Sequence, residues 1–261
     1  MNISFIGFGN MAKAIANGLL QHKGHRIYAA SPSLPTEKNE DGINTFSDNL
    51  EAIKGADIII LAVKPQQIGE VSQQIQHELD PNCLVITLAA GIRLSWYEQA
   101  YGSNQAIVRA MPNVAAAVGE SATPLIGNAC LSEAQKQHAD EIFKQIGRVV
   151  WLKEENEIDA FTALSGSGPA YVFLFMQALV DGAVRLGIEK QLAYQFAWQT
   201  IQGAASVVRD TDLNLEALIK QVASPGGTTE AALNSFQQHH FSEAVHEAME
   251  ACYNRAKTIG E

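Results

Sequence analysis

Ser224-Pro225-Gly226-Gly227-Thr228-Thr229 stands directly before the helical run Glu230-Ala231-Ala232-Leu233, and these residue types together suit anion binding. Pro225 stops the preceding helix. Gly226 and Gly227 are expected to turn the backbone with positive φ, and the threonines to cap the next helix. Such a turn aims backbone N–H groups at one point, where the helix dipole favours negative charge. The hydroxyls of Ser224, Thr228 and Thr229 stand beside those groups. The set fits a small carboxylate whose neighbouring atom needs one further hydrogen bond. An ordinary helix–turn–helix punctuated by Pro and Gly would use the same residues, and the opposite end of the chain weighs between the two readings.

There, the apolar run Asn2-Ile3-Ser4-Phe5-Ile6 is followed by Gly7-Phe8-Gly9-Asn10-Met11-Ala12, and Ala14, Ile15, Ala16, Leu19 and Leu20 then fall at helical spacing. Strand, G-x-G-x-x-A and helix are the context that a dinucleotide fingerprint requires. Gly7 permits the tight turn, Gly9 lets the backbone approach a pyrophosphate, and Ala12 allows close helix–strand packing. A second strand, Arg26 to Ala30, ends in Ser31-Pro32-Ser33, with no carboxylate before Glu37. An NAD-specific site places Asp or Glu there for the ribose 2′-hydroxyl. Serines suit a 2′-phosphate, so NADPH is expected; no Arg follows to clamp that phosphate, so NADH is expected to serve as well.

These segments need elements to hold them. Asp57 to Val63 reads as a buried parallel strand ending in Lys64-Pro65, since an unbroken apolar run signals cover on both faces. Asn49 opens the helix before this third strand and is placed on the adenosine side. Further strands are expected at Cys83–Leu88 (ending in Ala89-Ala90-Gly91), Ile107–Ala110, around Thr123–Leu125 and around Val149–Trp151, with a helix near Ser132–Ile146. Beyond Trp151 the pattern is helical: around Glu157–Leu164, Ala170–Leu186, Lys190–Arg209, Leu215–Val222, Thr229–Gln238 and Ser242–Thr258. Tyr171-Val172-Phe173-Leu174-Phe175-Met176 is apolar around the helix, which demands burial on nearly every side. A subunit interface is its natural destination. The expected organisation is an α/β Rossmann-type N-terminal domain, residues 1–152, followed by an all-α C-terminal domain, residues 153–261, that binds substrate and dimerises.

Composition bounds the function. A chain of 261 residues with net charge −10 argues against nucleic acid and against an anionic membrane surface. The apolar run Ile58–Val63 has the length of a strand, far short of a bilayer span. No cationic segment precedes an apolar one at the N-terminus, so no secretory signal is expected. Cys83, Cys130 and Cys252 are few and scattered, as in a reduced, cytoplasmic protein, and the histidines show no metal-ligand spacing.

Leu164-Ser165-Gly166-Ser167-Gly168-Pro169-Ala170-Tyr171 interrupts the first helical stretch, either as a Pro169 kink or as a close backbone approach to a ligand. Together with the first Gly-rich turn, Ala62-Val63-Lys64-Pro65, Ala89-Ala90-Gly91 and Ser224–Thr229, it makes the chain resemble the pyrroline-5-carboxylate reductase family along essentially its whole length. That family carries out the last step of proline biosynthesis. The resemblance implies an oxidoreductase that binds NADPH through Gly7, Phe8, Gly9, Asn10, Met11, Ser31, Asn49, Ala62, Val63, Lys64 and Pro65, with Ala90 by the nicotinamide. It places the substrate carboxylate at Ser224, Gly226, Gly227 and Thr228, with Thr229 hydrogen-bonded to the ring nitrogen as the catalytic residue. It also implies a homodimer, or a larger homo-oligomer built from dimers. Lys220-Gln221 stands where many relatives carry an acidic–amide pair, and Asp212 corresponds only loosely to an acidic substrate contact of some relatives.

The chemistry is consistent with this. Ketone reduction needs a proton donor such as Lys, His or Asp. Related two-domain hydroxyacid dehydrogenases place a lysine on the first long helix of the second domain, and here no lysine lies between Lys153 and Lys190. A protonated cyclic imine needs less help, because hydride itself neutralises it. A reductase of another imine or 2-hydroxy acid, and a catalytically inert NADP-binding regulator, are the competing readings.

Overall fold

The structure is a computed structural model that describes residues 1–21 and 24–259. The chain divides into two compact units, Met1–Pro169 together with Ala251–Glu261, and Ala170–Glu250.

The first unit is built on one sheet. Its strands are β1 (Asn2–Ile6), β2 (Arg26–Ala30), β3 (Glu37–Lys38), β4 (Asn44–Phe46), β5 (Ile58–Leu61), β6 (Leu84–Thr87), β7 (Ile107–Ala110), β8 (Ser121–Gly127) and β9 (Gly147–Trp151). They lie in the order β3-β4-β2-β1-β5-β6-β7-β8-β9. Pairing is parallel except at β3–β4 and β7–β8. The order runs outward in both directions from β1 and β5, which makes the gap beyond their carboxyl ends the switch point where such sheets bind ligands. The strand that sequence reading counted as third is therefore the fifth. The short β3 and β4 intervene; they carry no apolar run, β4 adding to the edge of β2 and β3 to the edge of β4.

Period-2 alternation feeds both faces. Along β5, Ile58 and Ile60 pack with Ala12, Ile15 and Leu19 of α1 (Asn10–Leu20), whereas Ile59 and Leu61 pack with Ala52 and Ile53 of α2 (Asn49–Ile53) and Ile68, Val71 and Ile75 of α3 (Ile68–Ile75). Helix α4 (Leu94–Tyr101) adds the fully buried Tyr97 to the second face, and α5 (Glu133–Lys144) adds Phe143 to the first. Ser132 caps α5 reciprocally with Gln135, as a capping box does.

Helices α6 (Glu157–Phe161) and α7 (Gly168–Arg185) are joined by a π turn over Thr162–Gly166, in which the Ser167 N–H donates to the Thr162 carbonyl at 2.8 Å. The Leu164–Tyr171 segment therefore does not interrupt the helix, as expected from Pro169, but carries it through. Glu157–Arg185 forms one helix of 29 residues, long and apolar enough by length and composition to cross a membrane.

The second unit contains most of α7, then α8 (Lys190–Arg209), α9 (Leu215–Val222) and α10 (Thr228–Gln238), and much of α11 (Phe241–Thr258). Its own buried core is small, formed by Val180, Ala193 and Ala197 with Met176, Leu179 and Ala183 against them. Leu174 stays 73% exposed, Phe196 67% and Phe173 61%. The helices that demand burial do not find it among the described residues of one chain.

Candidate active site

Gly7 leaves β1 with φ +85, and its N–H donates to the Ala30 carbonyl at 2.9 Å. A Cβ there would stand 2.7 Å from Val63 Cγ1 and 2.9 Å from the Ala62 carbonyl carbon, so the turn and the segment after β5 touch backbone to backbone. Gly9 is the N-cap of α1 and no side chain caps that end. Its Cβ position is open space, and the first N–H groups of α1 have no partner within the helix. This is the geometry that accepts a pyrophosphate.

A cleft of about 560 Å³ opens here, lined by Gly7, Phe8, Gly9, Ser31, Asn49, Ala62, Val63 and Lys64 among the residues expected from sequence. Ser31 Oγ lies 3.3 Å from Ser33 Oγ, and Asn49 Nδ2 donates to Gln74 Oε1 at 2.7 Å. Asn10 and Met11 sit instead in the first turn of α1, Pro65 opens a 3-10 turn before α3, and Ala90 occupies the turn after β6; none of these lines the cleft. The cleft also holds residues that sequence reading missed: Asp48, Gln67, Glu70 and Gln74. Gln67, Glu70, Val71 and Gln74 recur at helical spacing along one side of α3, a signal that was available. Asp48 caps α2 through Leu50 N–H at 2.9 Å, a local role that hides its second position at the cleft.

Behind the strand ends, Thr87 Oγ1 and the Tyr97 hydroxyl are 2.6 Å apart, and the Ala89 N–H donates to Thr87 Oγ1 at 3.3 Å, which holds the turn carrying Ala90. Burial pushes the Tyr97 phenol above its usual range, so it remains a neutral hydroxyl. Burial likewise pushes the Cys83 thiol up to about 12, which rules it out as a nucleophile near neutral pH. Asn113, after β7, donates from Nδ2 to the Ser165 carbonyl at 2.9 Å. In a regular helix the residue four positions later would donate to that carbonyl; here it is Pro169, which has no N–H. Asn113 replaces the missing donor. Ser165 Oγ donates to the Phe161 carbonyl, and Ser167 Oγ accepts from Cys252, so both serines are engaged within the fold.

In the second unit, Ser224 to Gly227 form a tight turn closed by Gly227 N–H donating to the Ser224 carbonyl at 2.9 Å. Gly226 has φ +70 and Gly227 φ −85, so only the first uses the left-handed region expected of both. Gly227 is required for another reason: a Cβ there would meet the Ser224 carbonyl oxygen at 2.9 Å. The N-cap of α10 is Gly227, and no side chain caps it. Thr228 and Thr229 are the first helical residues and not caps, contrary to the sequence expectation. Their hydroxyls and that of Ser224 have no hydrogen-bond partner among the described residues. The N–H groups of Thr228 and Thr229 lie in the first turn, where the helix offers no acceptor. Glu230 Oε2 accepts from the Gly226 N–H at 2.7 Å. Asp212 and Gln221 lie outside this turn and are exposed.

A family model for pyrroline-5-carboxylate reductase dimerisation matches residues 155–259, and one for NADP oxidoreductase, coenzyme F420-dependent, matches residues 2–91. A pyrroline-5-carboxylate reductase of Pseudomonas aeruginosa is 38% identical over 264 residues, covering 99% of this chain and 97% of its own. The chain belongs to the pyrroline-5-carboxylate reductase family. Among solved structures, a pyrroline-5-carboxylate reductase from Coxiella burnetii superposes with a TM-score of 0.92 at 38% identity, covering 100% of this chain and 98% of its own. The Plasmodium falciparum pyrroline carboxylate reductase, solved with NADP bound, superposes with a TM-score of 0.91 at 31% identity and covers 100% and 98%. The Rossmann-type sheet followed by helices is thus the architecture of this reductase family.

Proposed function

We propose that this chain reduces 1-pyrroline-5-carboxylate to L-proline with NADPH, and with NADH as a second reductant. The reading rests above all on the Ser224–Thr229 turn, which offers uncapped N–H groups and unpartnered hydroxyls and carries no Lys, His or Asp. NADPH, when bound, would supply hydride to the imine carbon, C2 of the pyrroline ring, which is C5 of the proline formed. The Gly7–Met11 turn and the uncapped start of α1 hold the pyrophosphate, Ser31 and Asn49 the adenosine end, and Ala62 to Pro65 the middle, with Ala90 beside the nicotinamide. Ser224, Gly226, Gly227 and Thr228 hold the substrate carboxylate. Thr229 orients the protonated ring nitrogen, which keeps its proton and takes the C=N π pair as the imine carbon receives hydride, leaving a secondary amine. Positioning and water exclusion then supply most of the rate.

The proposed division of labour places the NADP-binding part in residues 1–152 and the substrate-binding and dimerising part in residues 153–261, supported by the dimerisation-model match beginning at residue 155. The exposed apolar faces of α7 and α8 are covered by a second copy, making a homodimer or a larger assembly of dimers. That cover also accounts for the apolar Glu157–Arg185 helix without a membrane. The chain works in the cytoplasm, with no nucleic-acid partner.

The test is loss of reduced-cofactor absorbance with purified protein, NADPH or NADH, and either pyrroline-5-carboxylate or a panel of ketoacids. Turnover with the imine alone is expected. Turnover only with a ketoacid, or cofactor binding without turnover, overturns the reading in favour of a hydroxyacid dehydrogenase or an inert regulator.

A further inference from the structure

The proposed substrate turn is not empty of negative charge: it holds a carboxylate of its own chain. Glu230, the third residue of α10, folds back so that Oε2 accepts from the Gly226 N–H at 2.7 Å. A Glu at this helical position ordinarily returns to the N-cap N–H in a capping box. Here the N-cap N–H of Gly227 is already given to the Ser224 carbonyl, so the Glu230 side chain reaches one residue further, to Gly226. The left-handed Gly226, with φ +70, turns its N–H away from the closed Ser224–Gly227 bond and towards α10. Side chain and donor are both exposed, so nothing locks the contact in place.

We propose that Glu230 is a built-in competitor for the substrate carboxylate: it occupies the Gly226 N–H in the free enzyme and is displaced when substrate binds. This inference rests on the placement of substrate in the Ser224–Thr229 turn. One N–H cannot serve two carboxylates at full strength, and two like charges at such separation repel. Substrate therefore binds against the return of Glu230, which weakens capture. The same return helps to expel the product carboxylate after reduction. Glu230 thus sets how much substrate the enzyme demands and how readily it frees product, without touching the reacting atoms.

Glu230→Gln keeps the side-chain length and a carbonyl acceptor while deleting the charge. It should lower the KM for pyrroline-5-carboxylate about 3- to 10-fold and lower the inhibition constant of L-proline by a similar factor. The KM for NADPH should not move. Glu230→Ala should shift the substrate KM in the same direction, and circular dichroism with a melting curve establishes that either variant is folded. A purely structural role at the helix start predicts the reverse pattern: Gln close to wild type, Ala less stable, and no gain in substrate affinity. An unchanged or raised substrate KM in a folded Glu230→Gln protein overturns the proposal, and a raised KM would mark Glu230 as a partner of the cationic ring nitrogen instead. Thr229→Val, assayed in parallel, separates the two levels of inference. If it loses kcat/KM while Glu230→Gln leaves KM unmoved, the competitor role alone fails. If neither variant alters substrate kinetics, the placement of substrate in this turn fails with it.

Discussion

Thr229→Val exchanges one hydroxyl for one methyl at nearly constant shape, and the structure separates its effects on stability and on rate. Thr229 is the second residue of α10, half-buried, and its hydroxyl has no protein partner among the described residues. The helix is capped by Gly227 without any side-chain bond, so the loss of about 1 kcal/mol that accompanies removal of a capping hydroxyl does not apply. Thr and Val have similar helix propensities and both are β-branched, so stability should stay within about 0.5 kcal/mol of wild type. The rate should respond differently. A single preorganised group beside a reacting atom is worth roughly 10- to 1,000-fold, or about 1.4–4 kcal/mol of barrier. The expected outcome is a fall of that size in kcat/KM for the imine, with NADPH affinity by fluorescence titration unchanged. Thr229→Ser, which restores the hydroxyl, should recover most of the activity. A folded Thr229→Val enzyme as active as wild type would refute the assignment of the ring nitrogen to this hydroxyl.

Three further outcomes test other parts of the molecule. Gly7→Ala should cost about 2–5 kcal/mol, because it adds a left-handed strain to a Cβ placed 2.7 Å from Val63 Cγ1 and 2.9 Å from backbone atoms; an unchanged urea midpoint would contradict the close approach. Ser31→Asp puts a charge at the proposed 2′-phosphate position, in a cleft that Asp48 and Glu70 already line, and should turn the kcat/KM ratio from NADPH towards NADH; a variant that keeps its NADPH preference would place that phosphate elsewhere. Sedimentation at micromolar concentration should give dimer mass or larger, since Phe173, Leu174 and Phe196 are left exposed in one chain; a fully active monomer would remove the argument for a shared core.

What the sequence alone determined is what repeats locally. Ile58 to Leu61 form a fully buried strand because an apolar run must be covered on both faces, and the helical bounds near Lys190–Arg209 and Leu215–Val222 follow from apolar spacing and from the breaks around them. The Gly7–Ala12 turn was legible because its glycines answer a local backbone need, and the φ of Gly7 carries that need. Tertiary structure decided what depends on partners distant in the chain. Strands β3 and β4 are too short to carry a pattern; β4 forms where the edge of β2 offers hydrogen bonds, and β3 where β4 does. Pro169 read as a break because the donor that replaces its missing N–H, Asn113, stands 52 residues from the Ser165 carbonyl it serves. The threonines of the C-terminal turn read as caps because composition cannot tell a cap from the first helical turn; the backbone placed Gly227 at the cap instead and left the hydroxyls unpartnered. A residue's type sets which bonds it can make, and packing sets which of them are already taken.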